Sequence, residues 1–248
     1  MDTNLCQQGE QIDDLQCHGL RIIQNPSQFC FGIDAVLLTA YAAAQIKKNA
    51  RVLDLCSGNG IIPILLSDKS PASEIIGLEL QPSVAAMAAR SVKLNALEEK
   101  IRMICGDLND ALSFFKRSSF NNITCNPPYK EAGGGLKNTN TSKMLARHEI
   151  TCTLDDILRI SAALLIPGGK LCMVHRPERL IDLVCTMRQY RLEPKRLRFV
   201  HPAAGKTANL ILIEAVRNGR PKLFLDPPLY IYEKNGTYTE EVNKIYGR

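Results

Sequence analysis

Three observations predict that this chain of 248 residues folds as an α/β protein with a doubly wound, mostly parallel sheet. From Ala50 onward, short runs of β-branched or apolar residues alternate with helical patterns, as in successive βαβ units. The apolar runs are nearly continuous, which is typical of parallel strands covered by helices on both faces. Hydrophobic residues make up 45% of the chain, which is enough to bury a sizeable core.

The predicted strands and helices can be read in order along the chain. Strands are expected at 51–55, 74–80, 100–106, 121–126, 169–175, 194–201 and 208–216, and helices are expected to begin near Gly60, Pro82, Leu108, Leu154 and Glu178. The last two strands are joined by the short connection HPAAGKT, which leaves no room for a helix. We therefore expect a seven-stranded sheet whose last strand is antiparallel.

The strands define a main domain at 50–216, with an extension before it and a tail after it. The N-terminal extension, 1–49, has an apolar helical pattern around Ala35–Ile46 and is expected to pack on the core. The tail, 217–248, is aromatic and rich in proline and glycine. Its tyrosines are expected to dock on the domain, although they could also stack on nucleic-acid bases.

The positive charge of the chain is concentrated in one segment. The formal net charge is +6, and the stretch from Lys170 to Lys222 alone contains twelve Lys and Arg against four Asp and Glu. Five of these cations come close together: Arg188, Arg191, Lys195, Arg196 and Arg198. Such a cluster favours a nucleic-acid partner by attracting phosphate, and a solvated helix-to-strand connection explains it equally well.

Cysteine usage and the polar N-terminus predict a cytoplasmic protein without disulfides, metal or a membrane segment. The nine cysteines are spaced singly with no C-x-x-C pair, and Cys56, Cys105, Cys125 and Cys172 lie in runs that are predicted to be buried strands. His18, His175 and His201 have no metal-ligand neighbours in the sequence. No apolar run approaches the ~20 residues that cross a bilayer. The protein is expected to be a monomer.

A glycine turn follows the first predicted strand of the main domain. In VLDLCSGNG, at 52–60, Gly58 and Gly60 allow positive φ angles and a close approach of backbone to ligand. The helix that begins there offers free N–H groups to a carboxylate. Pro63 occupies the third glycine position of the dinucleotide fingerprint, which argues against that ligand. The same turn would also serve as a simple tight connection.

Three acidic residues fall near the carboxyl ends of the first three strands of the main domain. Asp54 precedes the glycine turn, Glu79 ends the next strand, and Asp107 follows the third. Glu79 could accept both hydroxyl protons of a ribose, and Asp107 could accept from an adenine amino group. Each could instead cap a helix, Asp107 above all. Together they indicate a nucleoside site at the ligand-binding edge of an open α/β sheet.

The tetrapeptide Asn126-Pro127-Pro128-Tyr129 directly follows the fourth strand of the main domain. Its prolines stiffen the turn, so that the Asn126 side-chain oxygen and a backbone carbonyl can accept the two protons of a planar NH₂ group. Tyr129 could stack on the bearer of that group. A proline-stiffened loop without chemistry is the alternative. The later segment Asp226-Pro227-Pro228-Leu229 lacks the aromatic residue and is interpreted as a chance resemblance.

This combination resembles the class I S-adenosylmethionine-dependent methyltransferases of the Rossmann-like fold that carry an N-P-P-[YFW] motif. Two further segments, FGIDAVLL at 31–38 and LARHE at 145–149, resemble the bacterial tRNA1(Val) adenine-N6-methyltransferase family. The resemblance runs from about Leu20 to Val216. It implies N6-methylation of an anticodon-loop adenine in tRNA, adenine-37, with S-adenosylmethionine as methyl donor.

The resemblance also implies roles for individual residues. Residues implied to line the methyl donor are Asp34, Asp54, Gly58, Gly60, Glu79, Asp107, Leu108 and Asn126. The target base would be held by Asn126, Pro127, Pro128 and Tyr129. RNA would be contacted by Arg147 and His148 and by the basic cluster Arg188, Arg191, Lys195, Arg196 and Arg198.

Three other functions stay open at this point. A methyltransferase acting on a protein glutamine uses the same N-P-P-Y chemistry, but a longer leading helical domain would be expected. A DNA or rRNA amino-methyltransferase is the second, although a DNA enzyme would need space for a target-recognition domain. An RNA-binding module without activity is the third, and the two intact halves of the site argue against it.

Overall fold

The computed structural model describes residues 5–27, 30–127 and 152–248. The strands that correspond to the seven predicted ones are β3 (Arg51–Leu55), β4 (Glu74–Glu79), β5 (Ile101–Cys105), β6 (Phe120–Cys125), β7 (Leu165–His175), β8 (Leu192–Ala203) and β9 (Leu210–Arg217). They lie in the order β8-β9-β7-β6-β3-β4-β5. β9 is antiparallel to both of its neighbours, and the other pairings in this row are parallel. The predicted α/β class and antiparallel last strand are confirmed.

Helices cover both faces of this sheet. They are α1 (Ile33–Ala43), α2 (Ile61–Lys69), α3 (Pro82–Leu94), α4 (Ala111–Phe114), α5 (Leu154–Leu164) and α6 (Leu180–Gln189). Local sequence explains where several begin. Pro82 stands in the first turn of α3, where its missing N–H costs nothing. Thr153 and Asp156 form a reciprocal capping box at the start of α5.

The structure adds elements that the alternation of apolar runs does not predict. A hairpin of β1 (Gln11–Asp14) and β2 (Arg21–Gln24) lies in the N-terminal extension. In the tail, β10 (Phe224–Leu225) and β11 (Leu229–Tyr232) pair with the outer side of β8, and α7 (Glu240–Tyr246) follows them. These strands are two to four residues long, so they carry too little periodicity to be recognised.

The apolar core has one layer on each face of the sheet. One layer joins α1 and α2 to the extension and to Leu229, Ile231 and Val242 of the tail. The other layer joins the opposite sheet face to α5 and α6. Among the described residues, none of the helices has the length and apolar character of a membrane span.

Candidate functional site

Polar side chains meet at the sheet edge where the parallel strands β3, β4 and β6 end. Asp54 and Thr124 lie opposite each other in the register of β3 and β6. Glu79 is the last residue of β4, and Asn126 follows the last residue of β6. The structure therefore brings three of the predicted residues, Asp54, Glu79 and Asn126, to one edge.

Asp54 is completely buried and is held by two hydroxyl groups. Ser57 Oγ donates to one carboxylate oxygen at 2.7 Å, and Thr124 Oγ1 donates to the other at 2.6 Å. Burial raises the pKa of Asp54 to about 7, although both hydrogen bonds act in the opposite direction. In this structure Asp54 thus links the glycine turn to β6 through two buried hydrogen bonds.

The pKa of Asp54 predicts how stability depends on pH. The folded protein keeps this proton up to about pH 7, whereas an aspartate with the ordinary pKa of 3.8 has lost it. Because the folded state then binds more protons between these pH values, the free energy of unfolding should fall as pH rises through that window, by up to about 4 kcal/mol. Above pH 7 this contribution should be constant.

Urea unfolding of the wild type and of Asp54→Asn between pH 4 and 8 checks this expectation. Burial lowers the pKa of His175 to about 4, which makes stability rise with pH over part of the same window. His175 is present in both proteins, so the difference between their curves isolates Asp54. Two curves that stay parallel from pH 4 to 8 would contradict a buried, protonated Asp54.

The glycine turn is held in shape by Glu79. Gly58 has a φ of +56°, and a Cβ atom there would meet nothing within 4 Å, so the turn is open on the side where a ligand would lie. Glu79, itself buried, accepts from the Gly58 N–H and the Gln81 N–H, each at 2.9 Å. A carboxylate has about four acceptor positions, so Glu79 can still accept from a ribose.

Gly60 has a structural reason to be glycine. It is the N-cap of α2 with a φ of +82°. A Cβ atom there would lie 3.2 Å from the Cβ atom of Ala88 in α3. The close packing of α2 and α3 therefore explains why residue 60 is a glycine. The side of the turn that is open to a ligand lies at Gly58.

Asp107 acts as a cap, the alternative that its sequence context allowed. It is the N-cap of a short 3₁₀ helix, and its carboxylate accepts from the Asn109 N–H at 2.8 Å. It is half-buried at the end of β5, and its neighbour Leu108 is buried. The capping hydrogen bond leaves the carboxylate of Asp107 able to accept further hydrogen bonds. A contact between Asp107 and a ligand at this edge stays a prediction.

Asn126 is half-buried and is linked to the N-terminal extension. Its Nδ2 donates to Asp34 Oδ2 at 3.2 Å, across 92 positions of sequence. Asp34 lies in the first turn of α1, and its Oδ1 accepts from the Ala35 N–H at 2.9 Å. Pro127 is buried next to Asn126. The extension thereby contributes a charged side chain to the edge that carries the predicted catalytic motif.

Sequence reasoning missed several residues that hold the site together. Gln24 of β2 accepts from Asn59 Nδ2 at 3.0 Å, which connects the extension to the glycine turn. Thr124 and Ser57 hold Asp54. Asp54 and Thr124 both stand one residue before the end of their strand, and that shared position is the signal that could have paired them. Nothing in the local sequence marks Gln24.

The basic cluster predicted to contact RNA lies largely away from this edge. β8 runs parallel to β6, so its first residues stand at the opposite edge of the sheet, together with Arg188 and Arg191. Arg188 pairs with Glu193 at 3.1 Å, and Lys195 Nζ donates to the Arg220 carbonyl at 2.9 Å. The structure does not bring these residues together with Asn126.

Two arginines of the same cluster hold the tail. Arg196 pairs with Asp226 at 2.8 Å and lies 5.1 Å from the centre of the Tyr41 ring. Arg198 donates to the Pro227 carbonyl and to Glu241, each at 2.8 Å. Asp226-Pro227 therefore serves to dock the tail. Tyr238 stacks between Tyr232 and Tyr246, with ring centres 5.4 and 5.6 Å away.

Four predicted site residues lie outside the described residues: Pro128, Tyr129, Arg147 and His148. The histidine prediction needs one correction. His18 has neighbours of metal-ligand type, because its Nδ1 lies 2.8 Å from Asp68 and Cys17 Sγ lies 3.5 Å from the same carboxylate. The turn between β1 and β2 brings these groups together, and the sequence spacing does not reveal it.

All nine cysteines are described, and all are free thiols. Cys125 and Cys172 are buried as predicted, whereas Cys56 is half-buried because it lies just after the end of β3. Cys105 is exposed, contrary to prediction, because β5 is the outermost strand on its side of the sheet. Cys185 is also exposed. The thiols therefore differ in how accessible they are to reagents in solution.

Burial raises the pKa of both the Cys125 and the Cys172 thiol, so neither supplies thiolate near neutral pH. With iodoacetamide at pH 7.5, peptides containing Cys105 and Cys185 should be alkylated at least about tenfold faster than those containing Cys125 and Cys172. Mass spectrometry of the labelled peptides measures this. Unfolding in urea is the control that should remove the difference. Equal rates in the folded protein would contradict the burial of the two core thiols.

Comparison with known proteins shows the family to which this chain belongs. The family model described as methyltransferase small domain matches residues 22–186. A Porphyromonas gingivalis protein named tRNA1(Val) (adenine(37)-N6)-methyltransferase is 30% identical over 189 residues, which cover 74% of this chain and 72% of that protein. A Shewanella frigidimarina protein of the same name is 25% identical over 243 residues, covering 92% and 91%.

Solved structures agree on the fold. A protein from Agrobacterium tumefaciens described as a predicted O-methyltransferase has a TM-score of 0.70 at 21% identity, covering 86% of this chain and 95% of its own. The M. jannaschii protein TYW2, solved in complex with AdoMet, has a TM-score of 0.58 at 13% identity, covering 85% and 87%. The chain belongs to the methyltransferase small domain family and, within it, to the family of proteins named tRNA1(Val) (adenine(37)-N6)-methyltransferase.

Proposed function

We propose that this protein transfers a methyl group from S-adenosylmethionine to the N6 atom of an adenine in tRNA, namely adenine-37 of tRNA1(Val). The observation that carries the proposal is the position of Asn126, which follows β6 at the same edge as the glycine turn and Glu79. The names of the relatives supply the tRNA and the nucleotide.

The residues at this edge suit a nucleoside that carries an amino-acid moiety. The open side of Gly58 leaves room for a ligand against the backbone. Glu79 is fixed by two backbone N–H groups and can accept ribose hydroxyls. When bound, S-adenosylmethionine supplies a methyl group on a positively charged sulfur atom. Gly60, Asp107 and Leu108 are proposed to lie around the same ligand.

Asn126 is the group proposed to hold the amino nitrogen of adenine. Its Nδ2 is engaged by Asp34, so its Oδ1 is the acceptor that the side chain has to offer. That oxygen and a backbone carbonyl of the Asn126–Pro127 stretch would accept the two N6 protons. Both acceptors favour the positive charge that develops on nitrogen during transfer. No base is needed beforehand, because the proton leaves after the nitrogen has become cationic.

The tRNA substrate is favoured over the alternatives by the relatives and by the chemistry of the target. An adenine in an anticodon loop is already partly unstacked, so turning it into a pocket costs less than extracting a paired base. Tyr129 would stack on that base, and Arg147 and His148 would hold its phosphates. The basic cluster 188–198 could only contact parts of the tRNA distant from the target base.

Methyl transfer to bulk tRNA prepared from cells that lack this protein tests the proposal. Nucleoside analysis of the product should give N6-methyladenosine. A tRNA1(Val) transcript should accept about one methyl group, and a matched transcript with guanosine at position 37 should accept none. Label that appears in a protein or rRNA fraction and not in tRNA would overturn the proposed substrate. An absence of transfer to any fraction would favour an RNA-binding module.

A further inference from the structure

We infer that Asp34 is a positioning residue that sets the orientation and the charge of the Asn126 side chain, and is not mainly a ligand of the methyl donor. The inference rests on the proposed function of Asn126. Asp34 lies in the extension and Asn126 in the main domain, and they meet through the 3.2 Å contact between Asp34 Oδ2 and Asn126 Nδ2.

The orientation of the Asn126 amide decides which of its atoms faces the substrate. An asparagine side chain has a donor end and an acceptor end of nearly equal shape, and only the acceptor end can receive the protons of an amine. The ionised carboxylate of Asp34 has no proton to donate. An Asn126 amide turned by 180° would place its Oδ1 against that carboxylate and would be repelled. Asp34 therefore selects the orientation in which Oδ1 is turned away from α1.

Asp34 is itself held in place by the start of α1. Its Oδ1 accepts from the Ala35 N–H at the start of α1, where a negative charge is favoured by the helix dipole. The residues after it, Ala35 to Leu38, are buried. A Cβ atom on Gly32 would lie 2.7 Å from Asp34 Oδ1. The glycine thus leaves the space that this position of the carboxylate requires.

The negative charge of Asp34 also acts on the Asn126 amide and on the substrate. A carboxylate that accepts from Nδ2 polarises the amide and makes its oxygen a stronger acceptor. The same negative charge favours the positive charge that forms on the attacking nitrogen. Both effects increase from the bound state to the transition state. Asp34 should therefore act on kcat, whereas a ligand of the methyl donor would act on donor affinity.

Kinetics of Asp34→Ala and Asp34→Asn distinguish these roles. Loss of a charged hydrogen bond should lower kcat on tRNA about 10- to 100-fold in Asp34→Ala. Asp34→Asn should lose less, since an amide can still accept from Nδ2. The dissociation constant of S-adenosylhomocysteine should stay within about twofold of the wild type. Glu240→Gln, an exposed acid in the first turn of α7, is the matched control and should leave both values unchanged.

Two further variants exclude a merely structural effect. Gly32→Ala keeps the charge of Asp34 but displaces it, and should lower kcat in the same way. Asn126→Asp places two carboxylates against each other and should be poorly active. Adding Asp34→Asn to it restores a hydrogen bond with the roles exchanged. This double variant should therefore be at least about tenfold more active than Asn126→Asp alone.

A spectroscopic readout separates this inference from the proposed function. In ¹H–¹⁵N spectra, the side-chain amide of Asn126 is identified by its absence in Asn126→Ala, and it should shift in Asp34→Ala but not in Glu240→Gln. No shift, together with unchanged kcat or a donor affinity weakened tenfold, would overturn the positioning role. A wild type that methylates no tRNA would overturn the proposed function, while the amide signal would still test the contact.

Discussion

Asn126→Ala should abolish methyl transfer to tRNA while the protein continues to bind its methyl donor. The substitution removes the side-chain acceptor for the amino protons at the point where positive charge develops on nitrogen. Loss of one such preorganised group typically lowers kcat by about 10²- to 10³-fold. Donor affinity should change by no more than about threefold, because the glycine turn and Glu79 are untouched. Single-turnover transfer from labelled donor and calorimetric titration with S-adenosylhomocysteine measure the two quantities.

The chain offers a matched asparagine for this experiment. Asn218 is exposed, has a φ of +56° that glycine accepts readily, and lies at the end of β9, at the sheet edge opposite Asn126. Asn218→Gly should therefore retain full transfer. Turnover of Asn126→Ala within about threefold of the wild type would refute the assigned role of Asn126.

Glu79→Gln should have the largest effect on donor binding. The carboxylate holds the Gly58 and Gln81 N–H groups and is expected to accept from the ribose as well. A glutamine keeps one oxygen, and its NH₂ group would face an N–H donor of the turn. The variant should lose one hydrogen bond from the turn and one from the ribose, both to a charged acceptor. The affinity for S-adenosylhomocysteine should therefore fall about 10²- to 10⁴-fold. Titration at pH 7.5 measures the affinity.

Glu99→Gln is the control for that change, because Glu99 is exposed in the connection between α3 and β5. It should bind the donor as the wild type does. A thermal unfolding curve for Glu79→Gln shows whether the turn still folds. If a folded Glu79→Gln variant binds within twofold of the wild type, Glu79 serves the turn alone and the ribose contact is wrong.

The sequence predicts the sheet well because its central strands are largely buried runs rich in apolar and β-branched residues. VLDL and NITC lie wholly inside β3 and β6. The hairpin β1–β2 and the tail strands are only two to four residues long, so no period of apolar residues marks them. Their place is decided by tertiary contacts, such as Arg196 with Asp226, between residues 30 positions apart.

A site residue could be predicted only where a side chain suited to the chemistry stands at the end of a predicted strand. Glu79 and Asn126 are predicted as site residues because each stands at a strand end beside a turn motif. The contact between Asp34 and Asn126 spans 92 residues, and no local pattern contains that information. For Arg196 and Arg198, a count of charges does not reveal the ion pairs with Asp226 and Glu241.

The docked tail has a consequence for the order in which a nascent chain becomes active. Leu229, Ile231 and Val242 complete the apolar layer that also buries α1, and α7 packs against α1. Lys69 Nζ donates to the Ile245 carbonyl at 2.8 Å, which fastens this segment to α2 as well. These residues leave the ribosome after all seven core strands. The helix that carries Asp34 therefore gains its last support late, so a chain still in synthesis can form its sheet before it has a working methyl-transfer site.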